Sequence, residues 1–247
     1  MPTFAEICAY LDTLFPPSLA EPWDRDGPAV DPCPAREVTA AVVALDVTSP
    51  AIEYAIAIGA QCIVTHHPLL FKLPDALRAD ESVGGRVLAL ARAGIAAVSC
   101  HTRLDSASGG VNDCLVRALG FYGSERPEDY LRLCDLSPRK AGEMLDRVRK
   151  TISPQAVFYG KTDRWISRAA VSCGAGGEFA AQAAALGAEL FITGEMKHNE
   201  RIEAQGLGMS VLLLGHGESE SPVLEPLAQR LREKLSVPVR IYDERNL

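Results

Sequence analysis

The five histidines of the chain occupy similar places in the sequence, because each follows an apolar run of the kind that forms a buried strand. In open α/β sheets, ligands bind beyond the carboxyl ends of the strands, where side chains from different strands converge. Histidines in these places are therefore candidate site residues. They are His66, His67, His101, His198 and His216.

Two carboxylates follow two of these histidines at the same spacing. Asp105 lies four residues after His101, and Glu220 lies four residues after His216. Imidazoles and carboxylates without thiolates form a nitrogen and oxygen ligand set that suits Zn, Mn, Fe, Co or Ni. The sequence predicts two divalent metal ions about 3.5–4 Å apart, with the following ligands: His66, His67, Asp105, His216 and Glu220.

His66 and His67 are adjacent, and in a regular strand adjacent side chains point to opposite faces of the sheet. Pro68 follows them directly and takes the chain out of sheet pairing, so we expect a bend where both rings reach one site or two neighbouring ions. Metal ions held in this way lower the pKa of a bridging water to about 7 and polarise a substrate oxygen. His101 is then expected to orient a ligand or transfer protons, as the candidate catalytic residue.

The elements that would position these residues alternate between apolar runs and alanine-rich helical stretches, which favours an α/β fold. Helices are predicted near 51–59, 84–94 and 178–187. Strands are predicted at 40–46, 61–65, 95–100, 167–173, 188–193, 209–215 and 237–242.

The two halves of the chain resemble each other. Residues 57–67 align without gaps on 185–195, at an offset of 128 positions, and 40–46 align on 168–174 at the same offset. With one residue of slack, the stretch that carries His101 and Asp105 aligns on the stretch that carries His216 and Glu220. This pattern predicts a duplicated α/β unit, with ligands from both copies.

Two glycine-rich loops have more than one interpretation. Residues 174–177 follow a predicted strand, and their N–H groups could cradle a phosphate. However, Phe179 breaks the dinucleotide-binding pattern, so a tight strand-to-helix turn is favoured. Residues 108–113 could shape the metal pocket, start a helix, or do both.

The cysteines give little sign of chemistry. Seven are present, without a C-x-x-C pair, so neither a disulfide framework nor a thiolate zinc site is expected, and most should be buried small residues. Cys100 lies beside His101, which raises the alternative of a thiol nucleophile. Adjacency in sequence is not the spatial pairing that activates a thiol, so this alternative is disfavoured.

Charge and hydropathy restrict the possible partners. The chain has 25 basic and 32 acidic side chains and a formal charge of -7, which argues against general binding to nucleic acid or anionic membranes. No apolar run approaches the roughly 20 residues of a membrane span. The first residues lack the pattern of a secretory signal, so we expect a cytoplasmic protein.

Five motifs together resemble the NGG-interacting-factor-three-like proteins, a dinuclear-metal family whose members are often named as type 2 GTP cyclohydrolase I homologues. The motifs span most of the chain, and they are EPWDRDG (21–27), VTHHPLLF (64–71), HTRLDSASGGVND (101–113), GAELFITGEMKHNE (187–200) and LGHGESE (214–220).

The resemblance implies two interlinked α/β domains. Together with the internal duplication, it leads us to expect two similar α/β domains with the metal site at their interface, the first comprising 1–125 joined by 222–247 and the second 126–221. It also implies a toroidal homohexamer, built as a trimer of dimers, with paired metals facing an inner cavity. On the matching positions it assigns ligation to the same five residues, namely His66, His67, Asp105, His216 and Glu220.

The chain departs from the family pattern at several positions. Arg25 and Pro28 replace a usual Asn and a common Leu, and Asn199 replaces a frequent second histidine beside His198. Arg103 replaces a frequent Asn and is expected to put a guanidinium close to the metals. There it would grip a substrate phosphate or line the cavity.

The leading hypothesis is a dinuclear metal-dependent hydrolase in which the bridging water attacks a purine ring, or a related amide or phosphate bond, of a nucleotide-like substrate. The family reaction, opening of the GTP imidazole ring with release of formate, suits this chemistry. The alternative is a non-catalytic hexamer that binds metal and acts as a scaffold, chaperone or protein-interaction hub. A third possibility, DNA threaded through the ring, would require basic residues such as Arg103 and Lys197 to line the cavity.

Overall fold

The computed structural model describes residues 1–246, so Leu247, the last residue of the predicted segment 222–247, lies outside the described residues. The helices are α1 Phe4–Leu14, α2 Ser49–Ala57, α3 Ser82–Ala93, α4 Thr102–Ser106, α5 Val111–Ala118, α6 Ala141–Thr151, α7 Ala180–Ala185, α8 His198–Gly206, α9 His216–Glu220 and α10 Leu224–Leu235. The strands are β1 Gly27–Val30, β2 Ala41–Ala44, β3 Cys62–Thr65, β4 Ala96–Ser99, β5 Glu125–Glu128, β6 Leu131–Lys140, β7 Val157–Tyr159, β8 Trp165–Ser172, β9 Leu190–Thr193, β10 Ser210–Leu213 and β11 Val239–Ile241. Short 3₁₀ helices cover Pro17–Leu19, Gly176–Phe179, Ser221–Val223 and Glu244–Asn246.

The chain forms two compact units. Unit 1 contains Met1–Leu104 and Leu224–Leu247, and unit 2 contains Asp105–Val223. The chain thus leaves unit 1, builds unit 2 and returns to unit 1 for its last helix and strand. The repeat boundary near residue 125 and the metal site assigned to the interface stay predictions.

Unit 1 is built on a five-stranded sheet in the order β1-β4-β3-β2-β11. β4, β3, β2 and β11 are parallel, and β1 closes one edge antiparallel to β4. Every residue of β2, β3 and β4 is buried, as expected for parallel strands that are covered on both faces. α2 and α3 pack on this sheet through apolar residues such as Ile52 and Leu90.

Unit 2 is built on a six-stranded sheet in the order β5-β6-β8-β9-β10-β7. The central strands β8, β9 and β10 are parallel, whereas β6 and β7 flank them in antiparallel orientation. Phe191 of β9 lies at the centre of an apolar cluster that includes Ala180 of α7 and Ala204 of α8. Both sheets carry helices, which confirms the α/β prediction.

The strand registers agree with the predicted duplication. In unit 1, Ala41 pairs with Cys62, and in unit 2, Ala169 pairs with Leu190. Each residue of the second pair lies 128 positions after its counterpart in the first, which is the offset of the sequence repeat. The repeated sequence therefore forms the same pair of parallel strands twice.

All seven predicted apolar runs contain or overlap a strand, and the structure adds β1, β5, β6 and β7. The added strands pair antiparallel at or next to the sheet edges, and they lack long apolar runs because much of their surface is exposed. The predicted helix at 178–187 begins as the 3₁₀ turn and continues as α7. Periodicity therefore found the buried parallel strands and missed the sheet margins.

Among residues 1–246, no helix has both the length and the apolar character needed to cross a membrane. The cytoplasmic location expected from the sequence stays a prediction.

Candidate metal centre

The histidines of unit 1 lie beyond the ends of two neighbouring parallel strands. Thr65, at the end of β3, pairs with Ser99, at the end of β4, so the residues after these strands come together. The ring centroids of His66 and His67 are 4.7 Å apart, and those of His66 and His101 are 5.3 Å apart. We call His66, His67 and His101 the histidine cluster.

The chain turns sharply after β3, and this turn brings the two adjacent rings together. The hydroxyl of Thr65 donates to the carbonyl oxygen of His67 at 2.8 Å, two residues further on. The N–H of His67 still donates to the carbonyl oxygen of Leu45, and Pro68 then ends the pairing. The adjacent side chains therefore do not diverge to opposite faces as they would in a regular strand.

Each ring of the histidine cluster is held through Nδ1. Nδ1 of His66 donates to the carbonyl oxygen of Cys100 at 3.0 Å, and Nδ1 of His67 donates to Asp46 at 3.1 Å. Nδ1 of His101 donates to Asp24 at 2.9 Å. When Nδ1 carries the proton of a neutral imidazole, Nε2 carries the lone pair that a metal ion requires.

The histidine cluster fits a metal ion. One ligand atom from each of its three residues lies within 4.8 Å of the other two, and His66 is buried. Imidazoles oriented by carboxylates and a backbone carbonyl are the usual ligands of Zn and related ions. The donor set and its supporting hydrogen bonds therefore agree with the predicted metal chemistry.

Asp24 is the most strongly held of the supporting carboxylates, and its side chain is only 1% exposed. Besides the bond from His101, it accepts hydrogen bonds from the N–H and the hydroxyl of Thr102. Burial opposes ionisation, but these hydrogen bonds outweigh it and hold the pKa of Asp24 well below its usual range. Asp24 is therefore a fixed anion beside His101.

Unit 2 carries a second set of predicted ligands. In α9, Nε2 of His216 lies 3.1 Å from Oε1 of Glu220, one helical turn further on. Nδ1 of the same ring donates to Glu195 at 3.0 Å. The Glu220 side chain is almost fully buried, with its carboxyl group beside this imidazole.

Gly174, two residues after the end of β8, allows Glu220 to lie where it does. A Cβ atom at this position would lie 2.6 Å from Oε1 of Glu220, and the glycine has a positive φ of 56°. Its N–H donates to the hydroxyl of Ser219 at 2.9 Å. The glycine-rich loop 174–177 therefore serves as a close-packed turn against α9, as the favoured interpretation predicted.

Asp105 is fixed by a separate set of contacts within unit 2. The thiol of Cys173 donates to Oδ1 of Asp105 at 3.2 Å. Asn112, fully buried in the first turn of α5, donates to the carbonyl oxygen of Asp105 and accepts from the N–H of Cys173. The loop 108–113 thus starts a helix and also supports a predicted ligand.

A family model for Duf34/NIF3 (NGG1p interacting factor 3) matches residues 2–246. The chain belongs to this family. A Clostridium perfringens relative named GTP cyclohydrolase 1 type 2 homolog is 31% identical over 244 residues, which cover 95% of this chain and 93% of that protein. The protein NIF3 homolog of Schizosaccharomyces pombe is 29% identical, over 87% of this chain and 84% of that protein. The crystal structure of a Bacillus cereus protein related to NIF3 has the same fold, with a TM-score of 0.88 at 20% identity over 98% of this chain and 96% of that chain.

Arg103, where this chain departs from the NIF3 pattern, does not have the role expected from the sequence. Its side chain is buried and forms ion pairs with Asp12 and Asp26, and it also donates to the carbonyl oxygen of Phe15. The guanidinium is thus a structural group inside unit 1. The expectation that it grips a substrate phosphate or lines a cavity is wrong. The hypothesis that DNA threads through a ring named two basic residues, Arg103 and Lys197, and it therefore loses Arg103.

The structure gives no support for a chemical role of two other sequence candidates, His198 and Cys100. His198 is exposed at the start of α8, and its Nδ1 lies 3.0 Å from the guanidinium of Arg201. Among the described residues, no group of three ligating side chains includes it. Burial raises the pKa of the Cys100 thiol to about 12, so Cys100 is not an activated nucleophile.

The sequence did not reveal the residues that orient the histidines. Asp46 ends the predicted strand at 40–46, and Glu195 ends the repeat segment at 185–195, where the other copy has a histidine. Asp24 lies inside the motif EPWDRDG at 21–27. The sequence feature that could have identified Asp46 and Glu195 is a carboxylate at the end of a predicted strand. This feature does not predict which imidazole the carboxylate contacts.

Proposed function

We propose that this NIF3-family protein is a metal-dependent hydrolase that acts on a nucleotide-like substrate, and that opening of the purine ring of GTP is the reaction to test first. The histidine cluster carries this proposal, because it places the ligand atoms of two predicted metal ligands, His66 and His67, within 4.8 Å of each other and of a third imidazole, His101. The relatives named GTP cyclohydrolase 1 type 2 homolog support the choice of substrate.

In this proposal the protein binds two divalent ions of the Zn, Mn, Fe, Co or Ni type through the ligands predicted from the sequence. When bound, such ions supply a Lewis acid and a water of lowered pKa. The ligands are His66, His67, Asp105, His216 and Glu220.

His101 is proposed as the residue that transfers protons. Because Asp24 accepts from Nδ1, the ring exchanges a proton with the substrate at Nε2. Trp23 and Phe71 surround the same ring edge-on, with centroids 6.3 and 6.0 Å from that of His101.

Metal content and formate release test the proposal together. The purified chain is loaded separately with Zn, Mn, Fe, Co or Ni, its metal content is measured by elemental analysis, and formate release from GTP and from a nucleotide panel is followed. Asp105→Asn and Glu220→Gln keep the side-chain shape and are expected to lose metal and activity. His198→Gln is the matched control and should lose neither.

Metal binding without product from any nucleotide would overturn the hydrolase and leave the predicted non-catalytic scaffold. Wild-type metal content in both carboxylate variants would overturn the ligand set.

The homohexamer is a further part of the proposal and rests on the family resemblance. Its test is the native mass in solution by light scattering, which should be six times the 26.5 kDa of one chain. A mass of one or two chains at working concentration would overturn it.

A further inference from the structure

Two large aromatic side chains next to the histidine cluster are exposed. Trp23 is 60% exposed and Phe71 is 46% exposed. Their ring centroids are 6.1 Å apart, and both rings approach His101 at about the same distance. Burial of aromatic rings normally stabilises a fold. Adjacent aromatic rings that stay exposed beside a candidate catalytic residue therefore indicate a surface that binds a ligand.

The planes of the three rings lie roughly perpendicular to one another, and we call Trp23, Phe71 and His101 the aromatic corner. The interplanar angle is 81° between Trp23 and Phe71, 77° between Trp23 and His101, and 86° between Phe71 and His101. A flat ring that stacks on one of them lies roughly perpendicular to the other two, an orientation that permits edge-to-face contact with them. Stacked and edge-to-face contacts are the two arrangements that aromatic rings prefer.

The backbone holds both aromatic residues in place. On one side of Trp23, the N–H of Glu21 donates to the hydroxyl of Thr102, and on the other side Asp24 is bonded to His101 and Thr102. Phe71 follows Leu69 and Leu70, which pack into the apolar core of unit 1. A surface that is already ordered loses little conformational entropy when a ligand binds.

We propose that Trp23 and Phe71 bind the planar ring of a heteroaromatic substrate against His101 and thereby set the substrate specificity of the site. This inference rests on the proposed function, because it assigns the substrate-binding surface of that reaction. The ligand class is a flat, fused heteroaromatic ring of the purine type. Sugar and phosphate groups have no face to stack and gain nothing from the aromatic corner.

Tryptophan fluorescence tests the assignment directly, because the chain has only two tryptophans. Trp165, in β8 of unit 2, is 59% exposed and is a matched control. In Trp165→Phe, the remaining emission comes from Trp23, and guanosine should quench it saturably. In Trp23→Phe, the emission comes from Trp165 and should not respond, which also controls for light absorption by the ligand. Ribose and inorganic triphosphate should quench neither variant.

Affinity measurements identify the binding surface. Stacking on an aromatic side chain contributes enough that its removal weakens binding roughly 5- to 150-fold. We therefore expect Trp23→Ala and Phe71→Leu each to raise the guanosine dissociation constant in this range, whereas Phe71→Tyr should retain affinity. Leu77→Ala changes another exposed apolar residue, at 54% exposure in unit 1, and should have no effect.

Absence of saturable quenching of Trp23 by guanosine overturns the inference, and so does an unchanged dissociation constant in both Trp23→Ala and Phe71→Leu. A blue-shifted Trp23 emission that changes on protein dilution also overturns it, because a second copy would then cover the aromatic corner. The inference and the proposed function can fail separately. Guanosine binding at Trp23 without formate release supports the inference alone, whereas turnover with an unchanged KM in Trp23→Ala supports the hydrolase alone.

Discussion

Nδ1 of His101 donates to Oδ1 of Asp24 at 2.9 Å, and this contact has a counterpart in unit 2, where Nδ1 of His216 donates to Oε1 of Glu195 at 3.0 Å. The internal repeat aligns His101 with His216. Each unit therefore places an imidazole after a parallel strand and fixes its tautomer with a carboxylate from another segment of the same unit.

Asp24→Asn should lower catalytic turnover about 10- to 100-fold. Both carboxylate oxygens of Asp24 accept hydrogen bonds, one from His101 and the other from Thr102, so an amide nitrogen at either position would face a donor. The imidazole then loses its fixed tautomer. The measurement is the pH dependence of formate release, together with the metal content.

Asp31→Asn is the control for this experiment, because Asp31 is an exposed carboxylate of the same unit. Turnover should fall in Asp24→Asn while metal content stays at the wild-type level. Loss of metal in proportion to loss of turnover would instead make His101 a metal ligand.

Asp46→Asn should weaken metal binding by about 10- to 100-fold through the loss of the hydrogen bond to His67. Competition with a chromogenic chelator measures the affinity. Asp75→Asn, an exposed carboxylate in the loop after the histidine pair, is the control and should bind metal like the wild type. Equal affinities in the two variants would exclude an orienting role for Asp46.

The sequence predicted the positions of the histidines because buried parallel strands leave long apolar runs, and the residues just after each run lie at the edge of the sheet where ligands bind. The orienting carboxylates were not predictable in the same way. Asp24 reaches His101 across 77 residues and Glu195 reaches His216 across 21, so these pairings depend on tertiary packing. Local patterns contain no information about such distances.

Arg103 is a second case in which a local sequence pattern did not predict a tertiary contact. Its place two residues after His101 suggested a role in the site, but the helical turn of α4 directs it into the interior, to Asp12 and Asp26. Arg103→Met leaves the buried carboxylate of Asp26 without its cation and should cost about 3 kcal/mol of the free energy of unfolding. Urea denaturation measures this loss.

Arg25→Met, at an exposed position in the same unit, should change the free energy of unfolding by less than about 0.5 kcal/mol. If Arg103→Met kept wild-type stability and raised the KM for phosphorylated substrates alone, the buried ion pairs would not be its role.

The pair of Asp113 and Arg132 predicts the acid sensitivity of unit 2. The Arg132 side chain is 1% exposed, and its Nε donates to Asp113 at 2.5 Å. Burial opposes ionisation of Asp113, but the hydrogen bonds from Arg132 and from the N–H of Gly109 outweigh it and lower the pKa of Asp113. A lowered pKa in the folded state contributes stability that is fully present above the unfolded value of about 3.9 and is lost as the pH falls through the folded value.

Asp113→Asn should therefore cost about 3 kcal/mol at pH 7, and its difference from the wild type should shrink as the pH falls below about 4. Urea denaturation across this range tests both statements. Asp129→Asn removes an exposed ion pair with Arg126 and should cost less than about 1 kcal/mol at any pH. A difference between Asp113→Asn and wild type that grows in acid would contradict the assignment.

Gly174→Ala should impair metal binding more than it impairs folding. Its Cβ atom would lie 2.6 Å from Oε1 of Glu220, and because a carboxylate moves more easily than backbone, the side chain should shift away from His216. Gly123→Ala is the matched control, since that glycine also has a positive φ, of 71°, but nothing within 4 Å of the added atom. Both variants should lose about 1–2 kcal/mol from left-handed backbone strain, whereas only Gly174→Ala should lose metal affinity. Equal metal affinity in the two variants, measured by chelator competition, would show that the position of Glu220 does not govern metal binding.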